Sequence, residues 1–475
     1  MPELLLAIDI GTTSISAGVF TPAGELKGLA CVPVKSVSTL PGRVEQDADA
    51  LWAATHRAIG QSLSRARCKP ADLAAIGVTS QRASIVCWDQ LTDEPLAPVV
   101  VWSDLRGAER AAQLQQAGFM VMPQTAAAKL ESVVATIESR TNLAFGNVDA
   151  WIIWKLSAGA VHATDRSQAW PMGYLDMGTM GWNEALIAHQ GLDPAWFPKL
   201  VDTWGAFGTT DRQVFGAEVP IAAVVADQQS ALIGHGCEAP GAAKVSYGTS
   251  AALDVSTGAQ LAFVDMTCPP FVLSSVDGQT RFCVEGMVYT AGSAFDWLRK
   301  TFGLGGLRRF EQLAQDTPES EGVYFLPALQ GLGAPHGDFA RRAVIGGLSA
   351  ASTPGHLARA ALEGLAGRVR EAFDHVYAAA GLPRPEVLRA DGGLTNSDAF
   401  MQAQADMLGA PVARHAYREA TACGAAICAA RGVGLLGPEE VAGFATYDRT
   451  FEPRHSADEA TARFTAWKAR AYAHG

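Results

Sequence analysis

The sequence lacks any C-x-x-C pair. Its eight cysteines fall at 31, 68, 87, 237, 268, 283, 423 and 428, and none has histidine partners at zinc-site spacing. They are expected to be reduced core residues, which excludes a disulfide scaffold and a zinc-finger module. Charge is also sparse: charged residues make up 18% of the chain, the formal net charge is −11, and no run of Lys or Arg occurs. A nucleic-acid surface needs clustered cations, so none is expected. Any anionic ligand must be held locally, by backbone amides, a metal or a few placed cations, because the overall field repels it. No apolar stretch reaches 18 residues. The longest candidate, Ala420 to Ala430, consists of small residues and stops at Arg431, which suggests a helix packed closely against a neighbour and no membrane association. The first residues enter a strand by Leu4 without the charged start, apolar core and cleavage site of a signal peptide, so the cytoplasm is the expected compartment.

The hydrophobic share is 48% over 475 residues, as in an ordinary folded chain, and this length favours two domains of roughly 200 to 250 residues each with a cleft between them. The opening, LLLAIDIGTTSISAGVF, reads as two apolar strands, Leu4–Ile10 and Ile15–Thr21, split by Gly-Thr-Thr-Ser. A carboxylate, Asp9, beside a turn of hydroxyls and amides suits a phosphate with its metal; a plain tight turn is the alternative. A third strand, Leu26–Val34, follows. An amphipathic helix comes next, from about Asp47, with Trp52, Ile59 and Leu63 on one stripe, then strands at Leu73–Thr79 and Ile85–Trp88. This order suggests an α/β domain that starts with an antiparallel hairpin.

The second half repeats the opening. VSYGTSAALDV, Val245 to Val255, places Gly248 on Gly11, Thr249 on Thr12 and Ser250 on Thr13, while Asp9 falls on Ser246. Two such hairpins fit a duplicated domain that grips an ATP phosphate chain from two sides, with only the first supplying a carboxylate. Further on, EVLRADGGLTNSDAFMQAQADMLG is a strand, a turn at Gly392 and Gly393, and a helix capped by Thr395, Asn396 or Ser397. Free amides at such a helix start accommodate a nucleotide phosphate or ribose; a mere chain reversal at the glycines is the alternative. The Gly-rich stretch at 303–306 is read as a helix–helix turn, since no strand leads into it.

Together with GVTSQRASIVCWD, VVWSDLR, GNVDAWIIWKLSAGAVHATD, VVADQQSALIG and GLGAP, these segments resemble the FGGY carbohydrate kinases in order along the chain, and the glycerol kinases most within that family. Ala343 to Glu363, with Ile345, Gly346-Gly347-Leu348, His356-Leu357 and Ala360-Ala361-Leu362-Glu363, fits the family's C-terminal signature. The resemblance implies an actin-like α/β fold of two ribonuclease-H-like domains around an ATP and sugar cleft. It implies ATP and Mg²⁺ as cofactors and a small sugar or polyol as substrate, with the first domain over 1–237 and the second over 238–475. The final helix, about Ala457 to Ala473, could return to the first. The expected assembly, if any, is a homodimer.

The resemblance also distributes roles. Asp227 follows the apolar strand Ile221–Val225 and matches the family's catalytic base, although a helix N-cap is the commoner fate of such an Asp. Gln228 matches a substrate contact, as do Arg82 and Trp102. Asp9, with Asp227, is assigned to Mg²⁺; Thr12, Thr13, Ser14, Gly248 and Thr249 to the phosphates; Gly392, Gly393 and Asn396 to the nucleotide. The chain departs from the glycerol kinases at three pocket positions. A Glu after the Gln-Arg pair is Ala83, a Tyr corresponds to Gln124, and a Phe after the Gly-Thr corresponds to Ala252. These changes lead us to expect a four- or five-carbon polyol or ketose in preference to glycerol. The rival from another class is an Hsp70- or actin-like ATPase, which would share both hairpins and lack the Arg, Trp and Asp-Gln set.

Overall fold

The computed structural model describes residues 3–38, 40–417, 419–441 and 443–473. The chain forms two compact units. The first comprises Met1–Gly236, Phe271–Thr280 and Thr421–Ala445; the second comprises Cys237–Pro270, Arg281–Ala420 and Thr446–Gly475.

In the first unit, β1 (Leu4–Ile10) and β2 (Ser14–Phe20) form the expected hairpin, in register from Leu5↔Phe20 to Ile10↔Ile15. β2 begins one residue earlier than its apolar run, because Ser14 already pairs with Pro33 of β3 (Leu26–Pro33). The helix α1 (Ala48–Ala66) starts where Asp47 accepts a hydrogen bond from the Ala50 amide. Ile59 and Leu63 are buried on its inner face, whereas Trp52 is only half-buried at the edge of that stripe. β4 (Leu73–Ser80) lies parallel to β1, and β5 (Ile221–Ala226) lies parallel to β4, giving the sheet order β5-β4-β1-β2-β3. β1 and β5 are near-continuous apolar runs, as strands covered on both faces must be. The Ala- and Gly-rich segment becomes the helix Ala420–Gly432. A Cβ added at Gly77 of β4 would stand 2.1 Å from the carbonyl oxygen of Ala425, so the small residues of strand and helix permit a close approach.

In the second unit, β6 (Ala243–Tyr247) and β7 (Ala251–Gly258) form the repeated hairpin. β8 (Pro270–Val276), whose residues from Phe271 onward count with the first unit, leads into β9 (Gln279–Val288), which pairs antiparallel with β7. β10 (Leu388–Asp391) is parallel to β6, β11 (Val412–His415) is parallel to β10, and β12 (Tyr447–Phe451) closes the edge antiparallel. The run β9-β7-β6-β10-β11 therefore has the same order and the same directions as β3-β2-β1-β4-β5. The two letters shared at the turns, Gly and Thr, correspond to a repeat of the whole five-strand topology, as a duplicated domain requires.

The long helix α2 (Pro354–Ala380), capped by Thr353, buries Leu362, Leu365, Val369 and Phe373 in the second core. α3 (Asp398–Leu408) is capped by Ser397, one of the three expected candidates; Thr395 and Asn396 instead lie in a single 3₁₀ turn, Gly393–Asn396. Residues 303–306 fall between the helices Gly292–Thr301 and Leu307–Gln315. The final helix, Ala457–Ala471, lies in the second unit. Among the described residues, no helix is long and apolar enough to cross a membrane.

Candidate active site

The C-terminal ends of the parallel strands carry the polar groups of the first unit. Asp9 is the penultimate residue of β1 and is partly buried. Beyond it the turn closes tightly, the Gly11 amide donating to the Ser14 carbonyl at 3.0 Å. β4 runs on into Gln81, whose amide donates to the Ile10 carbonyl at 2.9 Å. The Gln81 side chain is buried, and its Oε1 accepts from the hydroxyls of Thr12 (3.0 Å) and Ser84 (3.2 Å). Its Nε2 donates to Gln46 at 2.9 Å, and Gln46 in turn donates to the Thr12 carbonyl at 2.8 Å. The Trp102 indole nitrogen donates to the Thr12 hydroxyl at 3.1 Å. Two groups assigned to different ligands, Thr12 and Trp102, are thus joined in one partly exposed hydrogen-bond network anchored on buried Gln81, which fixes the conformation of the turn.

The next residue, Arg82, places Nε 3.3 Å from Oδ1 of Asp227, and both side chains are largely buried. Asp227 is the first residue of a helix that follows β5, Asp227–Gly234, and does not cap it; the N-cap is Ala226. The Gln228 amide donates to Asp227 Oδ1 at 2.8 Å. The guanidinium of Arg82 lies 5.0 Å from the centroid of the Phe271 ring, within cation–π range. Lys129 is fully buried and donates to the carbonyls of Val101 (3.1 Å) and Trp102 (3.3 Å), holding the Trp102 segment in place. Burial pushes its pKa down to about 7, against the pull of Asp104.

Ala83 adopts the left-handed conformation, φ 56°, and is buried. Gln124 is exposed in the turn before the helix Ala126–Val134.

In the second unit the Gly248 amide donates to the Ser250 carbonyl at 2.8 Å, copying the first turn. Gly248 and Thr249 are exposed there, and the Thr249 carbonyl accepts from the Ala291 amide and the Ser293 hydroxyl, both at 3.0 Å. Gly392 has φ +90°, and a Cβ there would stand 2.4 Å from the Tyr247 carbonyl oxygen. The backbone after β10 thus lies directly against the end of β6. The Thr395 hydroxyl donates to the Gly392 carbonyl at 2.8 Å, and Asn396 Nδ2 donates to the Gly393 carbonyl at 2.7 Å. Thr395 and Asn396 line a cavity of about 570 Å³ with Asp398, Arg414 and His415. Below the hairpin, Lys244 and Asp254 form a fully buried pair at 2.8 Å, and Lys244 also donates to Ser246, the counterpart of Asp9. Burial opposes the Lys244 charge, but Asp254 and Asp391 outweigh it and its pKa is raised.

The sequence carries no signal for the roles of Phe271 and Gln46. A Phe inside the apolar run PPFVLSS carries no signal other than core packing, and Gln46 reads as a helix-start residue. Their partners lie far away in the chain, so local pattern could not reveal them.

Comparison with known proteins matches residues 4–234 to the N-terminal domain, and residues 243–433 to the C-terminal domain, of the FGGY family of carbohydrate kinases. The glycerol kinase of Geobacter sp. (strain M21) is 37% identical over 469 residues, covering 95% of this chain and 94% of that one. The glycerol kinase of Aromatoleum aromaticum is 38% identical over 488 residues, covering 98% and 97%. Among solved structures, a Plasmodium falciparum glycerol kinase with ADP superposes with a TM-score of 0.90 at 23% identity, covering 99% and 98% of the two chains. A xylulose kinase from Lactobacillus acidophilus superposes with a TM-score of 0.86 at 21% identity, covering 99% of each. At these identities the structural likeness establishes the fold. By its two matched domains and its full-length relatives, the chain belongs to the FGGY family of carbohydrate kinases, which work with ATP and Mg²⁺.

Proposed function

We propose that this kinase transfers the terminal phosphoryl group of ATP to a hydroxyl of a four- or five-carbon polyol or ketose, with Asp227 receiving the hydroxyl proton. The observation that carries the reading is the Arg82–Asp227 pair, 3.3 Å apart and largely buried at the end of β5. The guanidinium holds the carboxylate in a fixed orientation at the strand end, where it can accept a proton from a bound hydroxyl. Arg82, Trp102 and Gln228 offer donors to the substrate hydroxyls. Asp9, with Asp227, is offered to Mg²⁺, which shares the negative charge of the phosphates when bound. The hydroxyl-rich turn Thr12, Thr13 and Ser14 and the exposed turn at Gly248 and Thr249 suit phosphate oxygens. The cavity beside Asn396 is large enough for a nucleoside.

Ala83 and Ala252 are both small and buried. Where a Glu would accept a charged hydrogen bond, worth roughly 1.5 to 3 kcal/mol, Ala83 offers none. An Ala where a Phe would stand at 252 likewise favours a longer substrate, and Gln124 supplies hydrogen bonds to the additional hydroxyls. Preference for glycerol itself is the second reading, favoured by relatives of 37–38% identity that carry that name. The deciding measurement is kcat/KM across glycerol, erythritol, xylitol, ribulose and xylulose. A C4 or C5 compound is expected to exceed glycerol at least tenfold; glycerol best by tenfold or more refutes the preference. ATP turnover unmoved by every compound refutes the kinase reading at this site.

Asp9→Asn is expected to raise the Mg²⁺ concentration for half-maximal rate, because a neutral amide is a poorer partner for a hard cation than a carboxylate. A titration of rate against Mg²⁺ that coincides with wild type removes Asp9 from the metal site.

A further inference from the structure

Three residues unconnected to the site above converge in the second unit. Asp265 and Cys268 lie in the loop before β8, and His375 lies on α2; one donor atom from each comes within 4.8 Å of the other two. His375 Nε2 is 2.6 Å from Asp265 Oδ2. The other oxygen, Oδ1, accepts from the amides of Thr267 (2.7 Å) and Cys268 (3.0 Å) and from the Thr267 hydroxyl (2.7 Å). Those three donors fix the carboxylate rotamer and turn Oδ2 toward the imidazole. Cys268 is completely buried, with Sγ against Gly286 of β9: a Cβ there would be 3.4 Å from the sulfur. His375 and Asp265 remain about one-third exposed, so one side of the cluster faces solvent.

We propose that Asp265, Cys268 and His375 form a site for one Zn²⁺ ion, with water as the fourth ligand. One carboxylate, one thiolate and one imidazole match the donor types that zinc accepts. Zinc bonds of about 2.0–2.3 Å in a tetrahedron place donor atoms about 3.4–3.6 Å apart, so the Asp265–His375 separation must open by under 1 Å. Three residues from a loop and a helix plus an exposed fourth position describe a clamp that pins the loop before β8 to α2. Uptake displaces the Cys268 proton, and the His375 proton where present, to solvent. The neighbouring charge is acidic, Glu285 lying near Cys268 on β9, which favours a cation. The proposal is independent of the substrate reading.

The test uses the full chain stripped with a chelator and held in excess Mg²⁺, which occupies oxygen-only sites. Zn²⁺ should be retained at one per chain after gel filtration and should raise the melting temperature by several degrees, since binding to the folded state alone stabilises it. Co²⁺ in its place should give a near-ultraviolet thiolate-to-metal band in the wild type, lost in Cys268→Ser, and His375→Gln should weaken binding at least tenfold. Absence of retained Zn²⁺, a Co²⁺ complex without the thiolate band, or unchanged affinity in both variants overturns the site. The wild-type cobalt spectrum decides even if a variant folds poorly.

Discussion

Asp227→Asn is expected to lower kcat by about 10²- to 10⁴-fold while ATP affinity and fold are retained, the range typical of a lost general base. The replacement is isosteric and keeps an oxygen for the Gln228 amide, which donates to Oδ1 at 2.8 Å. It keeps the first turn of the helix Asp227–Gly234 as well, since Ala226 and not Asp227 is the N-cap. What it removes is the charge opposite Arg82 and the capacity to hold a proton. Arg82 also retains the Phe271 ring at 5.0 Å, so the guanidinium is not left without a neighbour. A loss concentrated in kcat, with ATP dissociation constant unchanged by calorimetry, identifies an interaction used in the transition state. Near wild-type kcat excludes Asp227 as the base, and a loss confined to substrate KM reassigns it to binding.

Gly392→Ala is expected to weaken ATP binding at least tenfold and to destabilise the second unit by about 2–6 kcal/mol, summing backbone strain and overpacking. The added Cβ would meet the Tyr247 carbonyl oxygen at 2.4 Å and the Tyr247 nitrogen and carbonyl carbon at 2.8 Å. All three are backbone atoms of β6, so no side chain can swing aside. The conformation, φ +90° with ψ 173°, is one that side chains rarely adopt. Relief requires the end of β10 to retreat from β6, carrying Gly393 and Asn396 with it. At Gly393 nothing stands within 4 Å of a built Cβ, so Gly393→Ala is the control and should leave the urea midpoint unchanged. A Gly392→Ala chain with wild-type midpoint and ATP affinity would falsify this account of the turn.

The amino-acid sequence by itself determined the features that depend on near neighbours in the chain. The hairpins at Leu4–Phe20 and Ala243–Gly258 follow from apolar runs broken by Gly-Thr, and a capped start of α3 within Thr395–Ser397 follows from polar residues before a periodic stretch, although only the fold selects Ser397. The Ala- and Gly-rich helix Ala420–Gly432 announced its own close packing, seen in the approach of Ala425 to Gly77. Family membership was legible because motif order and spacing survive along a chain. Tertiary structure alone decided which distant residues meet. Phe271 beneath Arg82, Gln46 bridging Thr12 and Gln81, and His375 facing Asp265 join segments that no periodicity connects. The same limit made the cysteines read as isolated, since Cys268 has no histidine nearby in sequence while α2 delivers one from another part of the fold. Propensity, turn chemistry and capping act over a few residues; a side chain's partners are set by how sheets and helices pack, which depends on the whole sequence at once.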